Sequence, residues 1–256
     1  MTVTHMQVLR STRYFECYRL LSADGELGRV EAFYFDNKSW LIRYLGVKIA
    51  IGPGQRCFLI STVSIGEIDE QNKTIDIELT SRQVENSPPV NTRRPLTRHD
   101  EALYYQQLGW KPYWETEPQQ GYLSTGDEPA EFFSMTSQPG QSNNVRGFES
   151  SALDGGIGHV DDFIIDTRYW LIRYLSIDAD DWINKKYLLV YPAWIEHVNW
   201  KARMMRVGLK REQLKTAPLF EPAQLIDPDY EARLFRHYQR PLYWQPVTTK
   251  DQSPNH

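Results

Sequence analysis

The sequence predicts a mainly β protein of two tandem small β-barrels, each followed by a short C-terminal helical tail. Two observations lead there: an internal repeat at a constant offset of 130 residues, and a run of short strands with close turns inside each copy. One string occurs twice, Trp40-Leu41-Ile42-Arg43-Tyr44-Leu45 and Trp170-Leu171-Ile172-Arg173-Tyr174-Leu175. The same offset places Asp24-Gly25, Gly28, Val30, Phe33 and Asp36 over Asp154-Gly155, Gly158, Val160, Phe163 and Asp166. Farther on it pairs Leu59, Ile65, Leu79, Gln83 and Pro88 with Leu189, Ile195, Leu209, Gln213 and Pro218, then Glu101-Ala102 with Glu231-Ala232 and Tyr113-Trp114 with Tyr243-Trp244. No gap is needed to give 21 identities between residues 8–118 and 138–248, where ordinary residue usage would supply about five or six. Those ranges are read as two domains. The stretch between them, 119–137, is rich in Gln, Gly, Ser, Thr, Glu and Pro and reads as a flexible connector.

The second copy shows the elements in order. Asp154-Gly155-Gly156 is a tight-turn signal, glycine supplying the positive φ a hairpin loop needs. A strand is expected over His159–Ile165, a turn at Asp166-Thr167-Arg168, and a second strand over Trp170–Ile177, in which Leu171, Arg173 and Leu175 alternate with Ile172 and Tyr174. The acidic Asp178–Asp181 segment interrupts before a third strand, Lys186–Tyr191, which Pro192 closes because it has no N–H to give a ladder. Short strands near His197–Asn199 and Met204–Gly208 flank a turn at Trp200-Lys201. Five or six such strands suggest a small barrel. Lys210–Lys215 supplies a helical turn or two, and Asp227-Pro228 caps and opens a helix through Tyr230–Tyr238. Copy one offers the weaker start Thr97 with Asp100 three residues on.

Bulk properties exclude several classes. Of the formal charge of −4, copy one (14 basic, 15 acidic residues) carries −1 and copy two (14 of each) none, the rest lying on Asp127, Glu128 and Glu131 of the connector. Such near-neutral domains lack the field that draws in phosphate backbones, which argues against direct nucleic-acid binding. The two cysteines, Cys17 and Cys57, have Gly147 and Tyr187 as their counterparts, so the copies share no bridge and a reducing compartment is the simpler reading. Neither a signal-peptide core over Met1–Arg10 nor a run of membrane-span length is present, which leads to a cytoplasmic expectation.

The second copy resembles the PRC-barrel domains, known from the cytoplasmic barrel of the photosynthetic reaction-centre H subunit. The residues that carry the resemblance are Asp154-Gly155, Gly158–Phe163, Trp170–Leu175, Pro192-Ala193-Trp194-Ile195, Leu209–Gln213 and Tyr230-Glu231 through His237-Tyr238 to Pro241–Trp244. Copy one keeps the turn, the Trp40 strand and Tyr113-Trp114, but reads Ser61-Thr62-Val63-Ser64 against Tyr191-Pro192-Ala193-Trp194 and lacks the acidic loop. It looks like the degenerate partner. The resemblance implies an assembly or docking module without assigned activity; in a ribosome-maturation factor a similar barrel contacts a ribosomal protein.

Candidate chemistry is sparse. Asp178, Asp180 and Asp181 lack the glycine and terminal Glu of a calcium loop, and Asp161-Asp162 reads as a turn cap. His5, His99, His159, His197, His237 and His256 show no zinc spacing. Cys57 lies in an apparent strand with Arg56 on the other face, so a buried structural thiol is expected. No catalytic, cofactor or metal residue is therefore assigned. The aromatics Trp182, Trp194, Trp200, Tyr243 and Trp244, with Arg173, are candidate interaction residues, core packing being the alternative. Trp40 and Trp170 read as core. Arg43 and Arg173 share a face with leucines, which calls for a carboxylate partner: Asp36, Asp166 or a group from the other domain. These features lead to a non-enzymatic interaction protein that binds a protein partner or self-associates, by packing of its barrels or as a homodimer, and a peripheral membrane complex is one possible setting. The alternatives are an accessory factor of ribosome or RNA assembly and an enzyme with its site in the inter-domain cleft.

Overall fold

The computed structural model describes residues 9–16, 18–51, 54–87, 98–116, 132–135, 144–179, 183, 187–222 and 224–244. In copy one the strands are β1 (Leu9–Ser11), β2 (Arg19–Ser22), β3 (Gly25–Asp36), β4 (Ile42–Ile51), β5 (Gly54–Ser61), β6 (Ile65–Asp69) and β7 (Thr74–Ile77), followed by helices α1 (Ser81–Glu85), α2 (Arg98–Leu108) and α3 (Tyr113–Thr116). Then come β8 (Phe132–Ser134), β9 (Glu149–Ala152), β10 (Gly155–Asp166), β11 (Leu171–Asp178), β12 (Tyr187–Val190), β13 (Ile195–Asn199) and β14 (Met204–Val207), and helices α4 (Arg211–Lys215) and α5 (Pro228–His237).

The described strands form two seven-stranded sheets, in a mainly β architecture. Copy one runs β5-β4-β3-β2-β7-β6 and copy two runs β12-β11-β10-β9-β14-β13, so the repeat holds strand for strand. Among the described residues no ladder joins β5 to β6 or β12 to β13. Strand ends shift as well: β10 starts at the Gly155 turn because β9 pairs back onto it, and β9, with its serines and no apolar alternation, gave no sequence signal. The start of the expected third strand, Trp182 and the Thr97 cap lie outside the described residues.

The seventh strand of each sheet comes from outside its own copy. Leu9–Ser11, at the start of copy one, pairs antiparallel with β10 of copy two. Phe132–Ser134, in the stretch read as connector, pairs antiparallel with β3 of copy one. The two additions match: Leu9 stands opposite Asp166 and Phe132 opposite Asp36. Leu9 and Phe132 are 123 positions apart, seven short of the repeat offset, so a gapless alignment could not reveal the exchange.

The repeated identities hold the frame. Asp24 and Asp154 accept from the backbone N–H of Ser81 and Arg211, at 2.7 and 2.8 Å, and so start α1 and α4. Gln83 and Gln213 accept from the N–H of Thr80 and Lys210, both at 2.9 Å. Gly28 and Gly158 let β3 and β10 pass a neighbouring carbonyl: any Cβ there would overlap the oxygen of Lys48 or Asp178, and Gly158 has φ +117° besides. Asp227 caps α5 by accepting from the N–H of Tyr230 at 2.6 Å, with Pro228 in the first turn.

One apolar core runs through both copies, from Leu20, Phe33 and Leu45 to Phe163, Leu175 and Leu234. A smaller cluster, rich in tyrosine, lies under α2: Tyr34, Tyr44, Tyr104, Tyr105 and Tyr113 with Ala32, Leu59 and Phe132.

Candidate functional site

Two features concentrate polar and aromatic side chains: the joint between the copies, and a buried cluster at the helical tail of each copy.

The joint is pseudo-symmetric in its backbone. Trp40 and Trp170 both adopt left-handed conformations, φ 60° and 51°, ahead of their strands, a strain worth about 1–3 kcal/mol for a non-glycine residue. Each carbonyl accepts from the other copy, Ile172 N–H to Trp40 at 3.0 Å and Ile42 N–H to Trp170 at 2.7 Å, with Leu41 bridging Leu171 between them. The repeated Trp-Leu-Ile therefore clasps the copies together as it opens β4 and β11. Trp170 is buried against Phe33, and Trp40 stacks on Phe35.

The joint's side chains are not symmetric. Trp200, the counterpart of Glu70, stacks on Phe133 of β8 with centroids 4.0 Å apart and touches Phe35, Trp40 and Phe148. Elsewhere Asp162, the counterpart of Ala32, accepts from the hydroxyls of Ser11 and Thr12 and from Arg146 at 3.1 Å. Arg146 also donates to Glu16 at 2.9 Å and to Thr12 at 2.9 Å. Asp161 receives Arg13 at 2.6 Å. These aspartates tie the exchanged strand to copy two and do not cap a turn. A charge inside β10 where copy one has alanine was the signal available for this.

The tail clusters repeat closely. In copy one, Tyr44 donates to the fully buried Glu101 at 2.5 Å, Arg98 spans Glu101 and the Tyr113 hydroxyl at 3.0 and 2.9 Å, and Arg43 lies 3.8 Å over the Tyr113 ring. In copy two, Tyr174 and Tyr243 donate to Glu231 at 2.6 and 3.0 Å, and Arg173 lies 4.4 Å over the Tyr243 ring. Arg173 also donates to Asp166 at 2.9 Å, supplying the carboxylate its apolar setting required. Burial dominates the electrostatics. It lifts Glu101 to about 7 against the pull of Tyr44, Arg98 and Arg43, with Asp36 adding to the rise. Glu231 is raised for the same first reason. Burial also pushes the half-buried Cys57 thiol up to about 11, which leaves it protonated and unreactive near neutral pH.

The aromatics singled out in the sequence fall into two places. Trp194, Tyr243 and Trp244 converge on Phe235 of α5: Trp194 is buried against Phe235 and Tyr238, Tyr243 stacks on Tyr191, and Trp244 sits 42% exposed with its edge on Tyr243. Arg173 joins them through Tyr243, whereas Trp200 belongs to the joint. Trp182 lies outside the described residues.

No family model and no curated protein matches this chain. Among the described residues no group of three or more His, Cys, Asp or Glu side chains is placed to hold a metal ion, and no helix is long and apolar enough to cross a membrane. Carboxylate, phenol and guanidinium in the tail clusters are engaged with one another, an arrangement suited to docking a helix on a sheet.

Proposed function

We propose that the chain is a non-enzymatic assembly module: a fused pair of PRC-barrel-like units, each sheet curling toward a small barrel, that presents its outer faces to protein partners. The observation that carries this reading is the reciprocal exchange of β1 and β8, which joins the copies as the subunits of a strand-exchanged dimer are joined. The repeated polar residues are engaged in that frame, in caps, clasp and tail clusters. The joint is filled by Trp200, Phe133 and the Asp162–Arg146 pair, which argues against a catalytic cleft there. Among the described residues copy two exposes six large apolar side chains (Leu153, Tyr169, Met204, Leu219, Leu225 and Trp244) and copy one three, which supports copy two as the principal docking partner. Light scattering of the purified chain together with proximity labelling in its own cells tests the reading. A strictly monomeric protein with no stable cellular partner would retire it.

A further inference from the structure

The repeat that keeps the interior alike reverses the charge of one surface. Over β6, β7 and α1, residues 65–85, copy one carries six acidic and two basic side chains. Over the equivalent 195–215 of β13, β14 and α4, copy two carries six basic and two acidic. Asp76 of β7 stands where Arg206 stands in β14, and Glu85 ends α1 where Lys215 ends α4. These four side chains are exposed, as are Glu67 and Glu78 on one face and Lys201 and Lys210 on the other. Glu70 is taken up at the joint by Arg10 at 3.0 Å, and Arg206 pairs with Glu196 at 3.6 Å. Each copy as a whole is nearly neutral, so the reversal is local to this face.

We propose that the basic β13–β14–α4 face of copy two docks on the acidic β6–β7–α1 face of a second copy of this chain. The inference rests on reading the chain as an interaction module, and it names the partner. Both faces are built on the same elements in the same order, so the backbone frames correspond while the charges oppose. Like faces repel, which restricts pairing to unlike faces of two chains. A pair of chains that satisfies both contacts closes a two-fold, isologous dimer, and one that satisfies a single, heterologous contact extends a row. Exposed Met204, beside Arg206, adds apolar area on the basic side. Solvent-exposed ion pairs are individually weak and screened by salt, so the association is reversible and sensitive to ionic strength.

Sedimentation velocity over a concentration series tests this. At about 50 mM NaCl the chain should associate, and at about 500 mM the dissociation constant should rise roughly tenfold or more. K210E/K215E and E78K/E85K should each abolish self-association. Their equimolar mixture should restore it, because the first variant keeps the acidic face and the second keeps the basic one. The inference is overturned by a wild type that stays monomeric at low salt, by association that both variants retain, or by a mixture that stays apart. It is equally overturned if a single-stranded RNA oligonucleotide binds the basic face in a K210E/K215E-sensitive way and no self-association occurs. A monomeric wild type alone leaves the assembly-module reading standing, since that reading falls only if proximity labelling also finds no stable partner.

Discussion

Protonation of Glu101 should set the pH dependence of the first copy. Its side chain is fully buried between Tyr44 and Arg98, and burial raises its pKa from an ordinary 4.5 to about 7. The folded protein thus holds this proton more tightly than the unfolded chain does. The stabilisation is complete below the unfolded value of 4.5 and is lost as pH rises through about 7. At 1.36 kcal/mol per pKa unit the full effect is about 3 kcal/mol, of which about 2.5 kcal/mol falls between about pH 5 and pH 8. Glu101→Gln keeps an acceptor for Tyr44 but cannot ionise, so it should flatten that part of the curve. Urea denaturation of wild type and Glu101→Gln at the two pH values isolates the group from every other titration. If the wild type loses no more stability than the variant on going from about pH 5 to pH 8, the reasoning is wrong, and Arg98 and Arg43 outweigh burial.

Three further outcomes follow from the packing. Gly158→Ala combines a left-handed φ with overlap on the Asp178 carbonyl and should cost about 3 kcal/mol or more, whereas Gly156→Ala meets nothing nearby and should melt almost as wild type does. Asp162→Ala leaves the nearly buried Arg146 with Glu16 as its carboxylate and takes the acceptor from Ser11 and Thr12, and should cost about 1.5–3 kcal/mol. In a double-mutant cycle Arg146→Met should recover part of that loss, and strict additivity would show that the pair is not coupled. Trp200→Ala empties the stack on Phe133 and should destabilise by about 2–4 kcal/mol, with faster proteolytic cleavage near β8; unchanged cleavage would place the joint's strength elsewhere.

Much of the frame was legible because it rests on local rules. The Asp-Gly turns, the alternating strand after Trp170, the Asp227-Pro228 helix start and the Arg173 carboxylate each depend on residues near in sequence or on one face of one strand. The repeat revealed the two copies because identities persist where a cap, a close approach or a buried hydrogen bond admits few residue types, as at Gly28, Gln83 and Glu101. The acidic pair Asp161-Asp162 was misjudged, since its partners Arg13, Ser11 and Thr12 lie some 150 residues away. Trp200 could be recognised as an anchor, but Phe133, Phe35 and Phe148 could not be recognised as its box.

By itself the sequence determined that there are two copies, that each is mostly strand with a helical tail, and that the second carries the fuller set of anchoring aromatics. Tertiary structure alone decided that each sheet is completed by a strand from outside its own copy and that the Trp-Leu-Ile string is a clasp. Turns, caps and alternation are set by neighbours a few positions away, so they can be read along the chain. A three-residue strand such as Leu9–Ser11 or Phe132–Ser134 carries too little pattern to name its partner, which is fixed by where the whole fold leaves an unpaired edge.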